Sequence, residues 1–180
     1  MALPHLLAFA SLVALAVPAQ AAAERGPSTS AERTRAVQTT RRLERDPLGP
    51  GARQDRRWLI QWIVEIPDIE VRGCSGPLDA LKLDDGNRYG KVLYIQSMFG
   101  MAAFLIEHPR DKNDWVAVQL AGVESVLRTY RSLLGSEPGA RWKELDLLIE
   151  ARRQGKLREV VEETMESCGE ERVPGVGDPI

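Results

Sequence analysis

The sequence predicts an all-α fold: a compact bundle of five or six helices with one disulfide, behind an N-terminal signal peptide. Three observations carry that expectation. Apolar residues recur at helical spacing through most of the chain, no stretch alternates with period two for long enough to build a sheet, and 43% of the 180 residues are apolar, enough for one ordinary core. The run "IEVRG" at 69–73 is the one strand-like segment, and it is too short to matter.

The first 21 residues read as the signal peptide. Residues 6–17 are apolar or small, Pro18 breaks the run, and Ala19-Gln20-Ala21 offers small residues where a signal peptidase reads, so cleavage is expected before Ala22. The run is shorter than the roughly 20 residues a bilayer span needs, so no stable membrane span is expected after cleavage. Small, polar residues 22–30 form an expected disordered leader, residues 31–170 a single helical domain, and residues 171–180 a flexible Gly/Pro tail.

Export decides how the two cysteines, Cys74 and Cys168, are read. An even cysteine count in an oxidising compartment predicts a disulfide between them. Closing that loop of 94 residues stabilises the fold by about 4 to 5 kcal/mol in the chain-entropy model. His108 is the one histidine beyond the leader, so the cysteines lack partners for a zinc site and no metal is expected.

The helices follow in order. "SAERTRAVQTTRRLERDP" starts at a Ser cap and stops before Pro47, with a thin apolar stripe of Ala36, Val37 and Leu43 that predicts a surface or fraying helix. "GPGARQDRRWLIQWIVEIP" resumes after Gly51 with Leu59, Trp62, Ile63 and Ile66 at helical spacing. Residues 67–90 are irregular, with a helical turn expected in "PLDALKL" and the disulfide expected to hold the loop. Between 92 and 106 only Gln96 and Ser97 interrupt an apolar run, the mark of a central helix; Ser97, Gly100 and Ala103 give it a flat seam for a close neighbour. Val116, Leu120, Val123, Leu127, Tyr130 and Leu134 define the next helix, capped by Asn113 or Asp114 and closed near Gly135. Two more follow, "PGARWKELDLLIEARRQG" with Trp142, Leu145, Leu148 and Ile149 inward, and "KLREVVEETMESCG" with Leu157, Val160, Val161, Met165 and Cys168 on one face.

The formal net charge of −2 hides an asymmetry. Residues 33–57 hold eight arginines against Glu44, Asp46 and Asp55, whereas from 159 onward seven acids face Arg172 alone. This split can steer a charged partner, bring the two ends of the fold together, or simply line solvated helix faces. The near-neutral total, with export, argues against a nucleic-acid partner.

No catalytic residue and no cofactor emerges from the motifs. "GCSG" lacks the spacing and preceding strand of a nucleophile elbow, and His108 sits at a helix end, where an imidazole favours the helix dipole. Asp84 and Asp85 flank Gly86 without the alternating ligands and closing Glu of a calcium loop. Glu65 lies one turn beyond Trp62 and Trp58, as a carboxylate beside aromatics would at a sugar site, which supplies the alternative of a cell-wall glycan hydrolase. The leading expectation is a non-catalytic exported binding protein. In outline the architecture resembles small disulfide-clipped periplasmic helical proteins such as acid-stress chaperones and immunity proteins, and implies a partner rather than a substrate. Arg53, Arg56 and Arg57 at a helix start, and Asp84 and Asp85 in the irregular loop, are the expected partner-binding residues, facing another exported protein or an anionic surface.

Overall fold

The structure, a computed structural model, describes residues 25–73, 76–79, 81 and 88–170, with side chains through Met165. Cys74, Asp84, Asp85, residues 1–24 and 171–180, and the Cys168 side chain lie outside the described residues. Six helices and no strand are found among the described residues: α1 Ser30–Arg45, α2 Ala52–Glu65, α3 Gly90–Glu107, α4 Trp115–Ser136, α5 Lys143–Arg153 and α6 Leu157–Glu170, with a single 3-10 turn Pro138–Ala140 before α5. The turn expected in "PLDALKL" is present, with Asp79 N–H donating to the Gly76 carbonyl at 2.9 Å and Leu81 N–H to Leu78 at 3.0 Å.

Helix α1 begins one residue earlier than its sequence cap implied. Thr29, not Ser30, is the N-cap: its hydroxyl accepts from Glu32 N–H at 3.2 Å while the Glu32 carboxylate accepts from Thr29 N–H at 2.7 Å, a reciprocal capping box. The segment before it is tied down as well. Ser28 is buried and donates its N–H and its hydroxyl to Asp68 at 2.7 Å each, and Arg33 reaches the same carboxylate at 2.8 Å. Residues 25–29, assigned by sequence to a disordered leader over 22–30, therefore run as a strap across the turn that follows α2.

The thin apolar stripe of α1 also misled. This helix packs on both α3 and α4 and buries Thr39, Thr40 and Glu44 along with Ala36 and Leu43. Thr40 is accommodated by returning its hydroxyl to the Ala36 carbonyl at 2.9 Å. A stripe counted from apolar residues alone does not register a helix that buries polar side chains.

Helix α3 is central, as its all-round apolarity implies, and it serves two cores. Leu93 belongs to a cluster with Val126, Leu127, Tyr130, Trp142, Leu145 and Val161 from α4, α5 and α6. Phe99 and Ala102 belong to another with Leu43, Leu59, Trp62 and Ile66 from α1 and α2. Tyr130 fastens α5 to α4: its hydroxyl accepts from Trp142 N–H at 2.7 Å and lies 3.0 Å from Asp146. Helix α4 is capped by Asp114, which accepts from Ala117 N–H at 3.0 Å. It runs one residue past Gly135 to Ser136.

The small-residue seam lets α3 and α4 approach closely. A Cβ on Gly100 would stand 2.4 Å from Ser125 Cβ and 2.9 Å from the Ala121 carbonyl; on the facing helix, one on Gly122 would stand 3.0 Å from both Met101 Cγ and the Ser97 carbonyl. No L side chain fits at Gly100 without the helices moving apart, and one at Gly122 would press on Met101 and the Ser97 carbonyl. Gly100→Ala is expected to cost about 1–3 kcal/mol through this overpacking, read as a lowered urea midpoint with an unchanged slope, whereas Gly139→Ala, in open space, leaves the midpoint near that of the parent.

Candidate functional site

Two surface features combine charge with apolar area. The first is a cleft of about 660 Å³ bounded by Arg41 and Glu44 of α1, Phe104, Glu107 and His108 at the end of α3, Leu120, Glu124 and Arg128 of α4, and Arg158 of α6. Its back wall is a buried ionic cluster. Glu44 is 4% exposed and sits in the last turn of α1, where it meets α4. Arg128 holds it in a two-pronged pair, Nε to Oε2 at 2.8 Å and Nη2 to Oε1 at 2.9 Å. Ser125 donates its hydroxyl to Oε1 at 2.6 Å and accepts in turn from the Gln96 amide at 3.1 Å, so α1, α3 and α4 share one buried polar chain. Arg41 completes it, at 3.0 Å from Glu44 and 2.8 Å from Glu107.

Burial pushes the Glu44 carboxyl upward, but the hydrogen bonds from Arg128 and Ser125 and the charges of Arg128 and Arg41 outweigh it, leaving the group below the ordinary glutamate value of 4.5. The other carboxylates at the cleft are engaged too. Glu107 pairs with Arg41, and Glu124 with Arg128 at 3.5 Å and Arg152 at 2.9 Å. A general acid for glycoside cleavage needs a carboxyl whose pKa is raised, and Glu44 runs the other way. His108 lies at the lip, exposed, stacked on Phe104 at 4.6 Å between ring centroids and 3.9 Å from Asp111.

Glu65, the residue behind the hydrolase alternative, does not line this cleft. It is exposed, accepting from Gln61 at 2.8 Å and Arg25 at 3.5 Å. Trp62 is buried, and Trp58 stacks on it at 5.9 Å with the Arg35 guanidinium 3.9 Å over its ring. Neither aromatic offers Glu65 a free face for a sugar.

The second feature lies where Arg53, Arg56 and Arg57 were expected to bind a partner. These three line a groove of about 420 Å³ with Ile60 and Gln61 of α2 and Lys91, Val92 and Ile95 of α3. Arg53, Arg57 and Lys91 are exposed and make no ion pair among the described residues. Arg56 differs: it is half-buried and donates to the Pro47 carbonyl at 2.8 Å, bracing the α1–α2 turn, and burial draws its guanidinium below its ordinary value. One turn apart along the outer side of α2, Ile60 is 41% and Val64 79% exposed. Unpaired cations thus stand beside unburied apolar side chains on a single helix flank.

Sequence reasoning named the three arginines but not Lys91, Ile60, Val64 or Ile95, nor any member of the Glu44 cluster. A signal for the α2 flank was there. Residues 59, 60, 62, 63, 64 and 66 are all large and apolar, more than one buried stripe can take, so some had to face outward. For Glu44 and Arg128, 84 residues apart, no local pattern exists. Among the described residues no group of three or more His, Cys, Asp or Glu is placed to hold a metal ion, and no helix is long and apolar enough to cross a membrane.

Removing one half of the buried pair tests how much the cluster holds. Arg128→Met is expected to destabilise by about 2–3 kcal/mol, below the usual cost of orphaning a buried charge because the guanidinium edge is solvated and Arg41 stays. With its folded pKa depressed, Glu44 contributes stability that is complete above the unfolded value and is lost as pH falls through the lowered one. Glu44→Gln should therefore flatten the acid end of the curve of denaturation free energy against pH below about 4.5. No protein-family model, curated protein or solved structure matches this chain.

Proposed function

We propose that this chain is an exported, non-catalytic binding protein, immunity- or chaperone-like in manner, that presents the outer flank of α2 and the first turns of α3 to another exported macromolecule. One observation carries the reading: Arg53, Arg57 and Lys91, unpaired among the described residues, surround a groove with an apolar floor, beside Ile60 and Val64 left in solvent. Elsewhere the arginines are mostly engaged at home, Arg33 with Asp68, Arg41 with Glu44 and Glu107, Arg42 with Asp55, Arg128 with Glu44 and Glu124. Cations spared from internal pairing beside exposed apolar area are what a docking surface requires. The hydrolase alternative draws less support, because each acid at the cleft is held by an arginine and Glu65 does not line it.

The test is chemical cross-linking of the exported protein in its native extract. Arg53→Glu with Arg57→Glu is expected to abolish a cross-linked adduct that Glu107→Gln and His108→Ala retain. Cell-wall hydrolysis by the purified protein, lost in Glu65→Gln or Glu107→Gln, would replace the binding reading with the enzymatic one.

Export and the Cys74–Cys168 disulfide belong to the same proposal. What supports the bond is the closeness of its neighbours: a Cβ on Gly76, two residues after Cys74, would stand 3.1 Å from Thr164, one helical turn before Cys168 on α6. The intact mass of the exported protein is expected to begin at Ala22 and to lack both thiol hydrogens, with reduction lowering the melting temperature. A full-length mass in the membrane fraction, or two titratable thiols, counts against it.

A further inference from the structure

The groove beside α2 has a shape and a charge that narrow what can fill it. It is shallow and open, with Val92 and Ile95 of α3 half-buried in its floor and Ile60 at its edge. Arg53 and Arg57, one turn apart, line the α2 side, and Lys91 stands on the α3 side. An amphipathic helix laid along α2 and α3 covers Ile60, Val92 and Ile95 with one apolar stripe and sets its polar edge beside the cations.

Charge complementarity supplies the rest. Three cations without ion-pair partners among the described residues face one site, and a segment bearing carboxylates at one end of an apolar stripe would meet Arg53, Arg57 and Lys91 while its apolar residues cover Ile60, Val92 and Ile95. Another copy of this chain does not meet that description with its most acidic element. On α6 the exposed described residues are Arg158, Glu159, Glu162 and Glu163, and the apolar residues Leu157, Val160, Val161 and Met165 are already committed to its own core. We infer that the groove between α2 and α3 receives an acidic amphipathic helix of a partner protein. The inference rests on the reading of the chain as a binding protein and adds the chemistry of the bound segment.

A displayed library of helical peptides, selected on the mature protein and counter-selected on Arg53→Glu/Arg57→Glu/Lys91→Glu, tests it. Arg56 is left in place because it braces the α1–α2 turn. Selected peptides are expected to carry two acids three or four residues apart beside an apolar pair, to bind the charge-reversed protein at least about tenfold more weakly, and to weaken as salt rises from about 0.05 to about 0.5 M. The neutral variant Arg53→Gln/Arg57→Gln/Lys91→Gln is expected to fall between parent and reversal, with unchanged circular dichroism in all three. Enrichment of basic or uncharged peptides, equal binding to the reversed protein, or charge-dependent binding to phosphatidylglycerol vesicles without acidic peptide binders overturns the inference. If the native adduct still disappears on charge reversal in those cases, the binding function stands and only the acidic helix is lost.

Discussion

The arrangement of α1 against α3 and α4 depends on one buried carboxylate. Glu44 takes hydrogen bonds from Arg128 and Ser125, and Ser125 from Gln96, so three helices converge on a single acid that is almost closed to water. A pair of this kind adds little net stability over an apolar contact of equal volume, because desolvation takes back most of the attraction. What it provides is register. Sliding α1 by a turn would carry Glu44 away from Arg128 and Ser125 and leave it only Arg41 of its own helix, at a cost of several kcal/mol, whereas a purely apolar contact would slip cheaply. Close packing at Gly100 and Gly122 does the complementary work, fixing the distance between the helices whose polar groups Glu44 joins.

With α1 fixed, the position of α2 follows. Arg42 reaches Asp55 at 2.8 Å and Arg56 reaches Pro47, so the short turn between the two helices is braced from both ends. Leu59, Trp62 and Ile66 then insert between α1 and α3. That insertion uses one side of α2 and leaves its opposite flank, with Arg53, Arg57, Ile60 and Val64, outward. The strap at 25–29 closes the far end, where Ser28 and Arg33 meet Asp68 just past α2. The groove is thus bounded by a helix clamped at both ends and by the central helix.

How much of this is legible in the sequence depends on what kind of interaction made it. The helices after residue 90 follow from apolar spacing, and α3 is central because nothing else can cover an element apolar on all sides. Its glycine seam was visible for the same local reason. Helix α1 was misplaced because the residues it buries are Thr39, Thr40 and Glu44, and polarity is taken as a sign of exposure until a partner is known. The partner of Glu44 is 84 residues away, beyond any local period. The arginines near residue 53 could be named from composition, but which of them stay unpaired is a tertiary fact: Asp55, which sequence set against Arg53, Arg56 and Arg57, is taken by Arg42 of α1.

That last exchange explains how a chain of net charge −2 can carry a cationic face. The excess of arginine over 33–57 is shared unequally between two adjoining helices. On α1, Arg33, Arg41 and Arg42 find carboxylates on α1, α2 and α3 and beyond α2, at Glu44, Asp55, Glu107 and Asp68, while Arg35 lies over the Trp58 ring and Arg45 makes no ion pair among the described residues. Helix α2 gives up its one first-turn acid, Asp55, to α1 and keeps Arg53 and Arg57 without a counter-charge among the described residues. The acids that balance the total are concentrated on α6, which packs on α4 and α5 in the other core. Among the described residues no ion pair joins Glu159, Glu162 or Glu163 to the arginines of 33–57; Glu162 pairs with Arg158 on its own helix, and Arg53 and Arg57 keep their charge on the α2 flank. Beyond a Debye length of about 8 Å at physiological salt, a partner meets the local charge rather than the sum. Spatial segregation, not the net balance, therefore sets what this surface attracts.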